Sequence, residues 1–343
     1  MKTRIYHALD LEKANVQTDI KETFLRGDNV VFPTETVYGI GAYALSEIGI
    51  KNIYRVKGRP SDNPLIMHIH KKEDIFKHTK NHQPYVKKLI NHFWPGPLTL
   101  VMEKQEHVPK QMTGGLNTVG LRMPNHPVAL KVIEIAGVPI CAPSANLSGR
   151  PSSTMVEHVI EDFLDRVDII IDGGQTTVGL ESTVLDVTQE IPMILRPGSV
   201  TKAMLEQVIG QVLEGTDSEQ PRSPGTKYRH YAPKGQLTIV EGSQEKMIAY
   251  IQDQIEKHHL NNERVGVICT KDLRDEFKNA VVFHVGDPDQ EEEIVSNLFP
   301  ALRKMDQYQI EYIYVAQFAK GTYEVALKNR LLKAANYQVI QLT

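Results

Sequence analysis

The residues best able to do chemistry stand in three polar segments, each beside a short apolar run. In residues 54–63, YRVKGRPSDN, Lys57 and Arg59 are two apart, next to Gly58 and Pro60. Read as an extended segment, alternate positions point to one side. A proline-fixed loop then holds two cations with little ordering cost, which suits a polyphosphate. Residues 51–72 carry six cations (Lys51, Arg55, Lys57, Arg59, Lys71, Lys72) against Asp62, a net +5, while the whole chain sets 39 Lys and Arg against 42 Asp and Glu, a net −3. An anion site must therefore be local, because a near-neutral chain offers no global field for nucleic acid or anionic lipid. Taken alone, the same run reads more readily as a solvated basic loop.

The second segment, residues 142–154 (APSANLSGRPSST), places Ser144, Asn146, Ser148, Ser152, Ser153 and Thr154 ahead of a helix. Hydroxyls, an amide and free backbone N–H groups there can hold a phosphate or a nucleobase; a helix cap uses the same residues. The third, residues 32–44 (FPTETVYGIGAYA), runs a strand into Thr34, Glu35 and Thr36 and then a turn at Gly39 and Gly41. GIGAYA fits G-x-G-x-x-A. The dinucleotide reading is weak, however, because KGRPSDNP stands where an acidic residue is needed about twenty positions on. Three further strands end in polar residues: TVGLRMP with Thr118 and Arg122, LESTVLDV with Glu181 and Ser182, and LRPGSVT with Arg196 and Ser199.

Several chemistries are excluded. No phosphate loop of the G-x-x-x-x-G-K-[ST] type and no G-x-S-x-G elbow occurs, and His78 with His82 lacks the Glu of HExxH and reads as a pair on a solvated helix face. His68 and His70 alternate on a strand, yet no Cys or carboxylate is close enough to complete a metal set. Cys141 and Cys269 alone make neither a disulfide framework nor a cysteine zinc site, so a reducing compartment is expected. The first ten residues lack an apolar core and no run nears about 18 uncharged apolar residues, so we expect a cytoplasmic protein with no membrane partner.

The elements that must position these residues follow from length and pattern. At 343 residues the chain is more than twice a usual domain of about 150, and two domains are expected. In the first half, strands are expected at residues 29–33, 65–69, 98–102, 118–123, 138–142, 168–172, 182–187 and 193–196. Helices are expected near 19–26, 46–56, 71–78, 84–92, 126–136, 155–165 and 201–213. Residues 213–234 lose all apolar periodicity and read as a linker. Lys227, Tyr228, Arg229, His230 and Tyr231 suggest a working one. After Gly235 five apolar runs alternate with helical stretches, the pattern of a parallel doubly wound sheet, with Pro300 interrupting the helix near 290–304.

Jointly, PTETVYGIG, KGRPSDNPL, LRMP, APSANLSG, ESTVLDV, LRPGSVT and SPGTKYRHYAP resemble the threonylcarbamoyl-AMP synthase family, the two-domain relatives of YrdC, in order and spacing from Pro33 to Pro233. The resemblance implies an α/β fold: a YrdC-like twisted mixed sheet with helices at 1–212, a linker or lid at 213–234, and a Rossmann-like parallel domain at 235–343. It implies a nucleotidyltransferase that joins L-threonine, bicarbonate and ATP into threonylcarbamoyl-AMP, with Mg²⁺ accompanying the ATP. Lys57 and Arg59 would be catalytic. Lys57, Ser61, Thr118, Ser144, Asn146, Ser152, Arg196 and Tyr231 would hold ATP, Tyr231 closing over it. Thr34, His68, Arg122, Ala142 and Ser182 would surround L-threonine. The product would pass to a downstream transferase that modifies the adenosine beside the anticodon of ANN-reading tRNAs, and direct tRNA contact would be weak. Two rivals stay open on the residues alone: an RNA-binding protein of this fold without nucleotidyl transfer, and carbamoyl transfer from carbamoyl phosphate.

Overall fold

The apolar run after Gly27 forms the strand Val30–Phe32 with all three side chains buried. The computed structural model, which describes residues 2–215 and 230–343, builds a mixed sheet outward from it. The chain divides into two units. The first holds residues 1–148, 153–177 and 181–228, and the second holds 149–152, 178–180 and 229–343. Lys227, Tyr228 and Arg229 of the expected linker lie outside the described residues.

In the first unit the described strands run Arg4–His7, Ile169–Asp172, Val30–Phe32, Gly39–Tyr43, Ile140–Cys141, Ile66–His68, Thr118–Arg122, Leu98–Lys104, Thr183–Asp186, Met193–Arg196 and Leu213–Glu214, and Thr79–Lys80 pairs Leu98–Lys104. Both parallel and antiparallel pairs occur along it, so the sheet is mixed as expected. Helices cover it with amphipathic faces: in Ala14–Arg26, Val16, Ile20 and Phe24 are buried at fourfold spacing. That helix begins five residues before the expected start, since the face had already opened at Val16.

Four local readings change. Residues 39–43 are a strand, paired antiparallel with Val30–Phe32, and the turn falls earlier, within PTETVY. Its glycines serve close packing, because a Cβ on Gly41 would lie 2.7 Å from the Phe32 ring and 2.9 Å from Ile140. Lys57 is the last residue of the helix Glu47–Lys57 rather than part of an extended segment. Gly58, at φ 61°, ends that helix in the left-handed conformation that glycine adopts at least cost. His68 closes the strand Ile66–His68, so His70 lies beyond it and the two histidines share no strand face. His78 is buried rather than solvated, its Nδ1 3.0 Å from His107 Nε2.

The second unit is a five-stranded parallel sheet in the order Val281–His284, Val265–Cys269, Tyr312–Ala316, Gln236–Glu241, Val339–Gln341, with helices between successive strands. Pro300 does not end its helix, which runs from Glu291 to Gln307. Leu298, Phe299, Ala301 and Leu302 are all buried around the proline, and that packing outweighs a local penalty of about 3 kcal/mol. Cys141 and Cys269 are both free and buried.

Phe32 and Ile140 are fully buried and cannot swing away from a new methyl group. We therefore expect Gly41→Ala to lower unfolding free energy by about 1–3 kcal/mol, measured by urea denaturation.

Candidate active site

Strand pairing decides which polar residues meet. Ile66–His68 and Thr118–Arg122 run parallel with His68 opposite Arg122, so both lie at carboxyl ends, where sheets of this kind bind ligands. Ala142 follows Ile140–Cys141, which pairs antiparallel with Ile66–His68, and its N–H donates to the Ile66 carbonyl at 3.0 Å. Three of the residues expected around threonine are thus brought together by one sheet register.

Arg122, 4% exposed, organises this end. Its Nε donates to Gly96 O at 3.3 Å and Nη1 to Thr36 Oγ1 at 2.9 Å, while Nη2 lies 2.7 Å from Glu35 Oε2. The last contact is an ion pair without hydrogen-bond alignment: Nη2 and both Glu35 oxygens are buried with no hydrogen-bond partner. Thr34 lies in the same turn. Its hydroxyl donates to Val37 O at 2.7 Å and accepts from the Thr36 and Val37 N–H groups, which fixes its own turn. Thr36 and Glu35 are the residues of PTET that reach Arg122. Their signal in the sequence was an acid between two threonines after a buried strand, which an unpaired strand-end arginine elsewhere could answer.

His68 is buried and its Nδ1 is 3.1 Å from Ile66 O. A carbonyl only accepts, so Nδ1 carries the proton and Nε2 is left as an acceptor. Burial first, and then the Arg122 charge, push its pKa down to about 3, so the ring is neutral.

The second group centres on Lys57, 2% exposed, whose ammonium donates to the backbone carbonyls of Ser144 and Asn146. Ser148 N–H returns a bond to Lys57 O at 2.9 Å, so the helix end and the Ser-Ala-Asn loop are locked together. Within the loop Ser144 Oγ donates to Asn146 Oδ1 at 2.6 Å, and Asn146 Nδ2 donates to Leu147 O at 2.8 Å. Arg59 folds back on its own loop, with Nη2 3.1 Å from Pro64 O. The expected basic patch divides here. Lys51 pairs with Glu47 on an exposed helix face, and Arg55, Lys71 and Lys72 are not buried either.

Arg196 binds Ser182 through Nε and Nη2 to its carbonyl, at 3.1 and 2.9 Å, and through Nη2 to its Oγ at 3.1 Å. One nucleotide-side and one threonine-side candidate are therefore in direct contact, and Thr99 Oγ1 joins them 2.9 Å from Ser182 Oγ. Ser61 is exposed, whereas Asn63, two residues on, is buried with both amide atoms lacking a partner. Nothing in the sequence set Asn63 apart from its neighbours in that loop. Thr118, half-buried, begins the strand that Arg122 ends, about 13 Å away at 3.3 Å per residue, and is apart from the Arg122 group.

Ser152 and Tyr231 belong to the second unit. There Arg303, fully buried, donates through Nε and Nη2 to Pro151 O at 3.1 and 2.8 Å, and Ala232 N–H bonds Gly149 O at 2.9 Å. The Tyr231 ring packs 5.4 Å from Phe299 with the Arg330 guanidinium 5.7 Å from its centroid. Among the described residues no group of three or more His, Cys, Asp or Glu could hold a metal ion.

A mixed sheet joined to a doubly wound one, with cations fixed at its carboxyl ends, defines a two-domain α/β enzyme for small anionic substrates. Residues 22–198 match the family model described as telomere recombination (Sua5, YciO, YrdC), and residues 200–336 match the threonylcarbamoyl-AMP synthase C-terminal domain. The chain belongs to the threonylcarbamoyl-AMP synthase family, in its two-domain form. The threonylcarbamoyl-AMP synthase of Pyrococcus abyssi is 45% identical over 93% of this chain and 94% of its own, and that of Bacillus subtilis 44% over 92% of each. The crystal structure of P. abyssi Sua5 complexed with L-threonine superposes with a TM-score of 0.92 at 41% identity, covering 99% of this chain and 100% of that one.

Because His68 is held neutral in the fold, the unfolded chain binds a proton below 6.5 that the folded chain refuses down to about 3. Stability should therefore fall with pH across that window, by up to about 1.4 kcal/mol per unit from this group. Replacing His68 by Gln should flatten that part of the slope in urea titrations at pH 6.5, 5.5 and 4.5.

Proposed function

We propose that the chain converts L-threonine, bicarbonate and ATP into threonylcarbamoyl-AMP, pyrophosphate and water. The observation that carries the reading is the full-length match to a relative solved with L-threonine, combined with a strand-end arginine and a neutral histidine in one cluster. The amine adds CO₂ to give a carbamate, and a carbamate oxygen then attacks the α-phosphorus as pyrophosphate leaves. Both partners are anionic, so the protein's part is charge neutralisation and positioning rather than covalent catalysis.

Arg122 pairs with the threonine carboxylate, with His68, Ala142 and Ser182 around the rest of the molecule. Lys57, Arg59, Ser144, Asn146 and Arg196 serve the nucleotide, and Asn63 takes the part first given to Ser61. Lys57 acts in two ways, since its charge lies beside the phosphates and its bonds set the Ser144–Asn146 loop. Mg²⁺ enters as the counter-ion of ATP. The acyl adenylate is labile in water, so it is handed to a transferase that modifies tRNA, and the near-neutral chain gives direct tRNA contact little electrostatic support. We place the protein in the cytoplasm; no helix among the described residues is long and apolar enough to cross a membrane.

The test is pyrophosphate release from MgATP at fixed salt, with L-threonine, L-serine or no amino acid, with and without bicarbonate. Release dependent on both threonine and bicarbonate is expected. Release without bicarbonate would mean simple amino-acid adenylation, inorganic phosphate that appears only when carbamoyl phosphate is added and needs no threonine would mean carbamoyl transfer, and no release with salt-steep RNA binding would favour the RNA-binding rival. In the same assay Lys57→Ala should lower kcat about 10²–10³-fold with the circular dichroism spectrum unchanged; near-normal release from the folded variant would remove Lys57 from the mechanism.

A further inference from the structure

Glu35 is a carboxylate that the fold buries and leaves incomplete. It is 4% exposed, its one ion pair among the described residues is the misaligned contact with Arg122 Nη2, and neither oxygen accepts a hydrogen bond there. Leaving such acceptors dry is expensive, about 1–3 kcal/mol for a neutral group and more for a charged one, so a group in this state calls for a ligand that completes it. The three open positions, Glu35 Oε1, Glu35 Oε2 and Arg122 Nη2, ask for hydrogen-bond donors at the first two and an acceptor at the third. A zwitterionic α-amino acid brings both together, since its ammonium has donors to spare and its carboxylate is only two bonds away.

We infer that Glu35 receives the ammonium of the substrate amino acid and takes a proton from it, so that the nitrogen can attack carbon dioxide. This rests on the reaction proposed above. An N–H bond of the ammonium breaks and its proton goes to a Glu35 oxygen. The freed lone pair then forms the N–C bond while a C=O π pair moves onto oxygen, giving the carbamate as the nitrogen loses a second proton. Bicarbonate consumes one proton in losing water to yield carbon dioxide, and the other leaves to solvent, so the exchange balances. The groups facing Glu35 suit the step. Arg122 and the Thr36 hydroxyl lie on one side, His68 is neutral beside Arg122, and His126, whose Nδ1 is buried without a partner, feels the Glu35 charge. Thr34, by contrast, has its hydroxyl committed to the turn that presents Glu35.

The experiment compares wild type, Glu35→Gln and Glu35→Asp in pyrophosphate release at saturating MgATP and bicarbonate, with threonine varied from pH 6.5 to 9.5. Glu35→Gln should lose about 10²–10⁴-fold in kcat near pH 7. The deficit should shrink by close to tenfold per pH unit as free threonine amine becomes available, and Asp should recover part of the rate. A wild-type enzyme showing no threonine-dependent release would overturn the functional reading itself. An active wild type with an unimpaired Glu35→Gln, or with a deficit that is the same at every pH, would overturn the role of Glu35 alone. A measurement on wild type covers the case in which Glu35→Gln does not fold: by calorimetry, 2,3-dihydroxybutanoate, which lacks the ammonium, should bind at least a hundredfold more weakly than L-threonine, and equal affinity would sink the inference.

Discussion

Burying the Arg122 guanidinium is the constraint on which the site depends. An always-charged group with five donors must be met by acceptors wherever it is buried. Gly96 and Thr36 supply acceptors and Glu35 an opposite charge, so one buried side chain fixes the PTET turn against the end of Thr118–Arg122. A buried ion pair of this sort is weak evidence of net stabilisation, because desolvation offsets much of the attraction. Its worth here is geometric, since it holds a cation and an anion 2.7 Å apart at the carboxyl end of the sheet.

Lys57 and Arg196 also donate to backbone carbonyls, Lys57 to those of Ser144 and Asn146 and Arg196 to that of Ser182. Lys51, by contrast, pairs with Glu47 on an exposed face, where solvent screens the pair. Burial and partner thus separate cations that stand close together in sequence.

In the second unit, fully buried Arg303 holds the carbonyl of Pro151, and Asp306 accepts from Lys234 N–H at 2.7 Å while pairing with Arg150 at 3.4 Å. The short run that follows the Ser-Ala-Asn loop in sequence, and the chain that enters the doubly wound sheet, are thus tied to one helix, Glu291–Gln307. Ser152 and Tyr231 take their surroundings from that helix and its neighbours.

The sequence by itself determined the two α/β units, nearly every strand of the second one, and the family, because alternation of apolar runs and the order of polar motifs are local properties of the chain. It determined equally that Lys57, Ser144, Asn146, Arg122 and Arg196 deserved notice, as charged or amide groups beside buried strands. Only the tertiary structure decided what each does. That His68 faces Arg122 follows from a parallel register between strands some fifty residues apart, and periodicity says nothing about register. That Gly41 packs beneath Phe32 instead of turning, that Lys57 ends a helix, and that Pro300 sits within one were settled by neighbours distant in the chain. That Glu35 and Thr36 reach Arg122 while Thr34 closes its own turn, and that Asn63 is buried where Ser61 is exposed, was settled in the same way. Hydrogen-bond satisfaction and burial are properties of the packed chain, and residue type and spacing alone leave them undetermined.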